Sequence, residues 1–167
     1  MNLNLTNRNR IVVGMADLQV MKETGTLTTL GLGSCVGIAL YCNISKVGGL
    51  AHCMLPDSTQ IKNNGNIAKF VDTATVALIS KMRTLGARQN NIKAKLAGGA
   101  QMFALNSTNE NMRIGERNTE ASIKILKSLG IPIISQDVGN SYGRTVELLM
   151  ESGDYIIKTI GHGQKVI

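Results

Sequence analysis

The 167 residues, 43% of them hydrophobic, make a chain of the size of one domain able to bury a core. Its formal net charge of +7 is scattered along the sequence, and with 3% aromatic residues and no Trp it lacks the basic stripe and stacking platforms of a nucleic-acid-binding surface. No stretch approaches the roughly 18 apolar residues of a membrane span, the N-terminus has no signal-peptide pattern, and three cysteines form no disulfide spacing, so a cytoplasmic protein with free thiols is expected.

In chain order, the first element read is a strand over Leu27 to Leu32. Gly31 and Gly33 let the backbone turn at its end, which would set the Cys35 thiol at a sheet edge, where a reactive thiol can be reached. Val36 to Tyr41 reads as a second strand, Asn43 to Lys46 as a turn and Val47 to Met54 as the returning strand. This hairpin would carry His52 back to the end where Cys35 sits. An adjacent imidazole activates a thiol by taking its proton. The thiolate can then attack a carbonyl carbon, with backbone N–H groups near Ser34 and Cys35 holding the oxyanion and the imidazolium protonating the leaving group. For the residue that orients the imidazole, local sequence leaves Thr29, Ser34, Asp57 and Ser58 open.

Asn64 to Asn66 read as a turn and helix cap, and Ile67, Phe70, Val71, Ala74, Leu78 and Met82 recur at helical spacing until Gly86. Ile92 to Leu96 reads as a strand, Glu116 to Leu129 as a second helix closed by Gly130, and Ile131 to Ser135, Thr145 to Met150 and Tyr155 to Thr159 as strands. The expected fold class is α+β: a single layered domain with a mixed, largely antiparallel sheet and about two main helices.

Other readings of the same residues are weaker. Cys42 ends a strand and Cys53 alternates with His52 to the other face, where packed thiols are natural. Cys35, Cys42, His52 and Cys53 include zinc-ligand types, but no Cys-x-x-Cys knuckle is present. Gly31-Leu32-Gly33 lacks the rest of a phosphate-binding glycine pattern and its lysine. No metal and no cofactor is expected. His162, flanked by Gly161 and Gly163, is expected to face solvent, and Asp137 and Arg144 to form an ion pair or backbone clamp around a turn.

Thr29-Leu30-Gly31-Leu32-Gly33-Ser34-Cys35 followed by Ala51-His52-Cys53-Met54-Leu55-Pro56 resembles the CheD family of chemoreceptor glutamine deamidases. Ala97-Gly98-Gly99-Ala100-Gln101-Met102-Phe103, Ile114-Gly115-Glu116-Arg117-Asn118, Ile131-Pro132-Ile133, Asp137-Val138-Gly139 and Gly143-Arg144 continue that resemblance in order, from about Ile11 to Thr159. It departs where Asn140 follows Gly139 in place of a second glycine, and where Cys53 directly follows the histidine. The first ten residues, polar and asparagine-rich, fall outside the resemblance and are expected to form a flexible arm, leaving 11–167 as a single CheD-like deamidase domain.

The resemblance implies Cys35 as nucleophile, His52 as general base and acid, and Thr29 as the residue orienting His52. It implies hydrolysis of glutamine side-chain amides on chemoreceptor cytoplasmic domains through a glutamyl thioester, and some relatives are associated with receptor methylester hydrolysis. It also implies a CheC-type phosphatase as partner, for which Met102 and Phe103 on a loop are candidate contacts. The competing reading is a regulatory binding module whose main business is that phosphatase.

Overall fold

The computed structural model describes residues 9–62, 65–102 and 113–167. Its described elements are β1 (Arg10–Val12), β2 (Asp17–Lys22), β3 (Thr26–Leu32), β4 (Val36–Cys42), β5 (Val47–Cys53), α1 (Val71–Thr84), β6 (Ile92–Gly98), α2 (Ile114–Ser128), β7 (Ile133–Val138), β8 (Arg144–Leu149), β9 (Tyr155–Thr159) and β10 (Gly163–Val166).

The hairpin read from the sequence lies at the centre. β4 and β5 pair antiparallel from Val36 with Cys53 to Cys42 with Val47. β2 adds to the outer edge of β5, and β6 and then β7 extend the other side, giving one sheet in the order β2-β5-β4-β6-β7. Both helices cover one face of it, α1 over β2, β5 and β4 and α2 over β4, β6 and β7. Val71, Ala74, Thr75, Leu78, Ile79 and Met82 make the buried stripe of α1, as helical spacing demands.

The α+β class, the two helices and the mixed, largely antiparallel pairing are as expected. The strands, however, divide between two sheets, the second running β1-β3-β8-β9-β10. The reason lies in β4 and β5, which are apolar at nearly every position and so bury both faces. Val36, Ile38, Leu40, Ala51 and Cys53 pack towards the helices, while Ala39 and Leu50 pack with Leu27, Val146, Leu148 and Tyr155 of the second sheet. Three strands left no clear pattern in the sequence: β1 is three residues long, β2 starts on Asp17, and β10 is exposed throughout.

The fold begins inside the segment expected to be an arm. Arg10 pairs with Thr26 in β1, and the Thr26 N–H donates to the Asn9 carbonyl at 2.9 Å. α1 starts at Val71 with Phe70 as its cap residue, so Asn66 serves the preceding turn, accepting the Ala68 N–H at 3.0 Å. No helix among the described residues is long and apolar enough to cross a membrane.

Candidate active site

Side chains alternate along a strand, and register decides which of them meet. Gly37 lies directly opposite His52 across β4 and β5. Cys35, just before the first paired position of β4, packs with Ala39 and Leu50 in the cluster between the sheets, on the face of the hairpin that carries Gly37 and His52. Gly37 itself carries no side chain. The space its Cβ would fill is occupied by the Tyr155 phenol oxygen, which donates to the Gly37 carbonyl at 3.1 Å. Cys53, on the opposite face, is sealed among the residues under the helices.

Thr29, on β3 of the other sheet, reaches His52 across the interface. Its Oγ1 lies 2.7 Å from His52 Nδ1 and 2.7 Å from the Val13 carbonyl. The carbonyl can only accept, so the Thr29 hydroxyl proton goes to it, and the Thr29 oxygen is left to accept from Nδ1–H. That assigns the proton to Nδ1 and leaves Nε2 with a free lone pair. Nε2 is buried and has no hydrogen-bond partner among the described residues. The pairing of β3 with β8 shifts between Thr29 and Leu32, and Gly31 takes φ +69 there. This irregularity keeps Thr29 buried while Leu30 turns out to 59% exposure.

The loop that presents Cys35 is stitched to the end of β6. Ala100 N–H donates to the Gly33 carbonyl at 2.9 Å, and Gly99 N–H to the Cys35 carbonyl at 2.8 Å. Gly98, with φ +102, must be glycine, because a Cβ would strike the Cys35 carbonyl. Arg144, 1% exposed, holds the end of β6 to the turn after β7: Nη1 donates to the Gly139 and Gly98 carbonyls at 2.9 and 3.3 Å, and Nε pairs with Asp137 at 3.3 Å. The clamp expected around the 139–143 turn is thus present and reaches the end of β6.

Burial pushes the Cys35 thiol above its ordinary value, opposed in part by its own backbone N–H. Burial also pulls the His52 imidazole down. Both directions favour an uncharged thiol beside an uncharged imidazole at neutral pH. In that state His52 can act as a base towards Cys35 during attack.

Of the four candidates for orienting the histidine, only Thr29 is hydrogen-bonded to it among the described residues. Asp57 instead accepts from Thr59 N–H and Oγ1 at 2.8 and 2.7 Å, and Ser58 Oγ donates to Asp72 at 2.8 Å. The Gly33 N–H donates to the Gly31 carbonyl at 3.0 Å, so Gly33 shapes the loop and its amide is already engaged. Met102 is 44% exposed and lies beside Gly33, where a Cβ would stand 3.2 Å from its Cγ. Phe103 lies outside the described residues. His162 is exposed and stacks on Tyr142, their ring centroids 4.1 Å apart.

Sequence reasoning passed over Asn118. It is fully buried on α2, and its Nδ2 donates to the carbonyls of Ser34 and Met54, both at 3.0 Å. Its place in Gly115-Glu116-Arg117-Asn118 was visible, but the carbonyls it serves lie 84 and 64 residues away in the chain.

The model of the family described as CheD chemotactic sensory transduction matches residues 54–159. The probable chemoreceptor glutamine deamidase CheD of Lachnoclostridium phytofermentans is 55% identical over 94% of this chain and 98% of its own. That of Caldanaerobacter subterraneus is 54% identical over 93% and 96%, and the chemoreceptor glutamine deamidase CheD of Halalkalibacterium halodurans 51% over 94% and 98%. A Bacillus licheniformis hypothetical protein, YfiH, has a distant likeness in its crystal structure, with TM-score 0.45 and 14% identity over 75% of this chain and 50% of that one. With a family match over most of its length and relatives above half identity across nearly all of it, the chain belongs to the CheD family.

Proposed function

We propose that the protein is a chemoreceptor glutamine deamidase in which Cys35 is the nucleophile, His52 the general base and acid, and Thr29 the group that holds the His52 ring. The observation that carries this reading is the Thr29 to His52 Nδ1 hydrogen bond, with an unpartnered Nε2 among the described residues and Cys35 packed on the same side of the hairpin. The relatives above supply the substrate class, since their names state glutamine deamidation of chemoreceptors.

His52 Nε2 takes the thiol proton as Cys35 Sγ attacks the carbon of a glutamine carboxamide. The N–H groups of Ser34 and Cys35 receive the developing oxyanion. Collapse of the tetrahedral species breaks the C–N bond, and the Nε2 proton leaves with the nitrogen as ammonia. His52 then takes a proton from water, which attacks the glutamyl thioester and releases glutamate and the Cys35 thiol. Throughout, Thr29 accepts from Nδ1–H and so favours the imidazolium that appears between the proton transfers. A methyl ester presents the same acyl carbon with methanol as the leaving group, so receptor methylester hydrolysis falls within the same chemistry.

The test is ammonia release and intact mass of a purified receptor cytoplasmic fragment. Wild type is expected to release ammonia and add about one mass unit per site, the difference between an amide and an acid, and Cys35→Ala to do neither. Ammonia release by Cys35→Ala would overturn the assignment.

The regulatory reading, docking of a CheC-type phosphatase, draws on Met102, exposed beside Gly33. A partner seated on Met102 would cover the loop that carries the nucleophile. Its test is titration of the phosphatase against Cys35→Ala and Met102→Asp: binding kept by the first and weakened by the second supports it.

A further inference from the structure

We propose that Asn118 is a positioning residue for the Cys35 and His52 pair, bolting the loop before the nucleophile to the chain just after the base. The proposal rests on the catalytic reading of Cys35 and His52 given above.

The antiparallel ladder of β4 and β5 ends at Val36 and Cys53. Beyond that rung the two chains part, and each finds new partners. The Met54 N–H turns to the Lys69 carbonyl at 2.9 Å, and the Cys35 carbonyl takes the Gly99 N–H at 2.8 Å. This parting lets Cys35 stand at the edge of the sheet and leaves the Ser34 and Met54 carbonyls outside the ladder. Carbonyls withdrawn from water need donors. Asn118 donates to both from one amide nitrogen, so its side chain ties the two chains together where the ladder stops.

A short asparagine arm reaches there only because α2 comes into backbone contact with the loop. One turn earlier on the same helix, a Cβ at Gly115 would collide with the Ala100 carbonyl, and Gly99 is hemmed in by Thr119. The donors also fix the amide orientation, since the reverse assignment would set Oδ1 against two carbonyl oxygens. Asn118 Oδ1 is then left buried with no partner among the described residues. An unsatisfied buried acceptor destabilises a fold. The residue is therefore placed for what its two N–H groups hold, and what they hold is the spacing between Cys35 and His52.

The experiment is the rate of Cys35 alkylation by iodoacetamide at neutral pH, read by peptide mass mapping. This small reagent reports thiol activation without receptor docking. Asn118→Ala, His52→Ala and the double variant are compared with wild type, each verified as folded by its thermal melt. A hydrogen bond contributes about a tenfold factor, so Asn118→Ala is expected to slow alkylation about tenfold. Residues that act as a unit are non-additive, so the double variant is expected to lie within about twofold of His52→Ala.

A folded Asn118→Ala with wild-type alkylation overturns the proposal while leaving the dyad standing if His52→Ala is slow. Fully additive losses also overturn it. Wild-type alkylation by His52→Ala instead overturns the role of His52, and this proposal with it. Should Asn118→Ala not fold, the same rates are read in Asn118→Ser, which keeps one donor. A folded Asn118→Ser alkylated as fast as wild type overturns the proposal, and so does failure of both variants to fold, which would make Asn118 a determinant of the fold and not of the thiol.

Discussion

The two faces of the β4 and β5 hairpin are built from the same fourteen strand positions, yet they do opposite things. The face under the helices carries Val36, Ile38, Leu40, Ala51 and Cys53 and is closed by Leu78 and Met82. Its thiol, Cys53, is completely buried, and desolvation drives it far above the ordinary range, with repulsion from Cys35 and Asp72 adding to the effect. The face between the sheets carries glycine at 37 and 48, His52, and Cys35 at the point where the strands part. There the buried polar groups are few and each is aimed: Thr29 at His52, Tyr155 at the Gly37 carbonyl. Two thiols 18 positions apart thus differ in chemistry because of the face and the end of the strand they occupy. Both faces are packed, the one by helices and the other by the second sheet, and it is the second that holds polar groups in register.

Exchanging the roles of the two thiols gives the largest test. Cys35→Ser is expected to lower receptor deamidation by on the order of 10³-fold or more with little change in melting. Cys53→Ala should leave activity per folded molecule unchanged and cost about 1 kcal/mol in denaturant titration. Equal losses of activity would mean that the faces are not separate. Leu78→Ala probes the helix face alone: loss of a fully buried leucine should destabilise by about 2–5 kcal/mol while activity persists below the lowered melting temperature.

Thr29→Val sharpens the other side. It keeps the shape, deletes the hydroxyl that meets His52 and the Val13 carbonyl, and is expected to cost 10–100-fold in kcat, with Thr29→Ser recovering most of it. Retained kcat in Thr29→Val would show that sheet packing alone holds the imidazole.

The smallest effect lies in pH. Burial holds His52 below its ordinary value of about 6.5, so kcat/KM should keep its plateau below pH 6.5 and fall only at lower pH. The unfolded chain binds this proton before the folded one does. Stability from this group is therefore whole above about pH 6.5, declines as pH drops, and stops declining below the folded value. Denaturant titrations at pH 7.5 and 5.5 should show that loss in wild type and a smaller one in His52→Gln.

Sequence alone determined the local devices. Apolar runs bounded by turn residues marked the hairpin, helical spacing marked both helices, and the order of short motifs carried the family. These signals are legible because each is written in residues close together in the chain. The strands β1, β2 and β10 escaped, since a three-residue strand, a strand opening on Asp17 and four exposed residues carry no periodicity of their own. The second sheet escaped as well, because a run apolar at every position says that both faces are covered without saying by what.

The site divided in the same way. Cys35 stands at the mouth of the hairpin that carries His52, and their placement at one end of it could be read from the two strands and the turn between them. Thr29 stood beside three alternatives until the second sheet folded over β5 and brought its hydroxyl to Nδ1. For Arg144 the clamp around its own turn was legible but not its reach to the Gly98 carbonyl, and Asn118 could not be assigned a role at all, because its partners are backbone carbonyls distant in the chain, and a carbonyl left without a donor has no signature in a sequence. Only the tertiary structure decides where the backbone breaks from its ladder, and so which side chains must complete it.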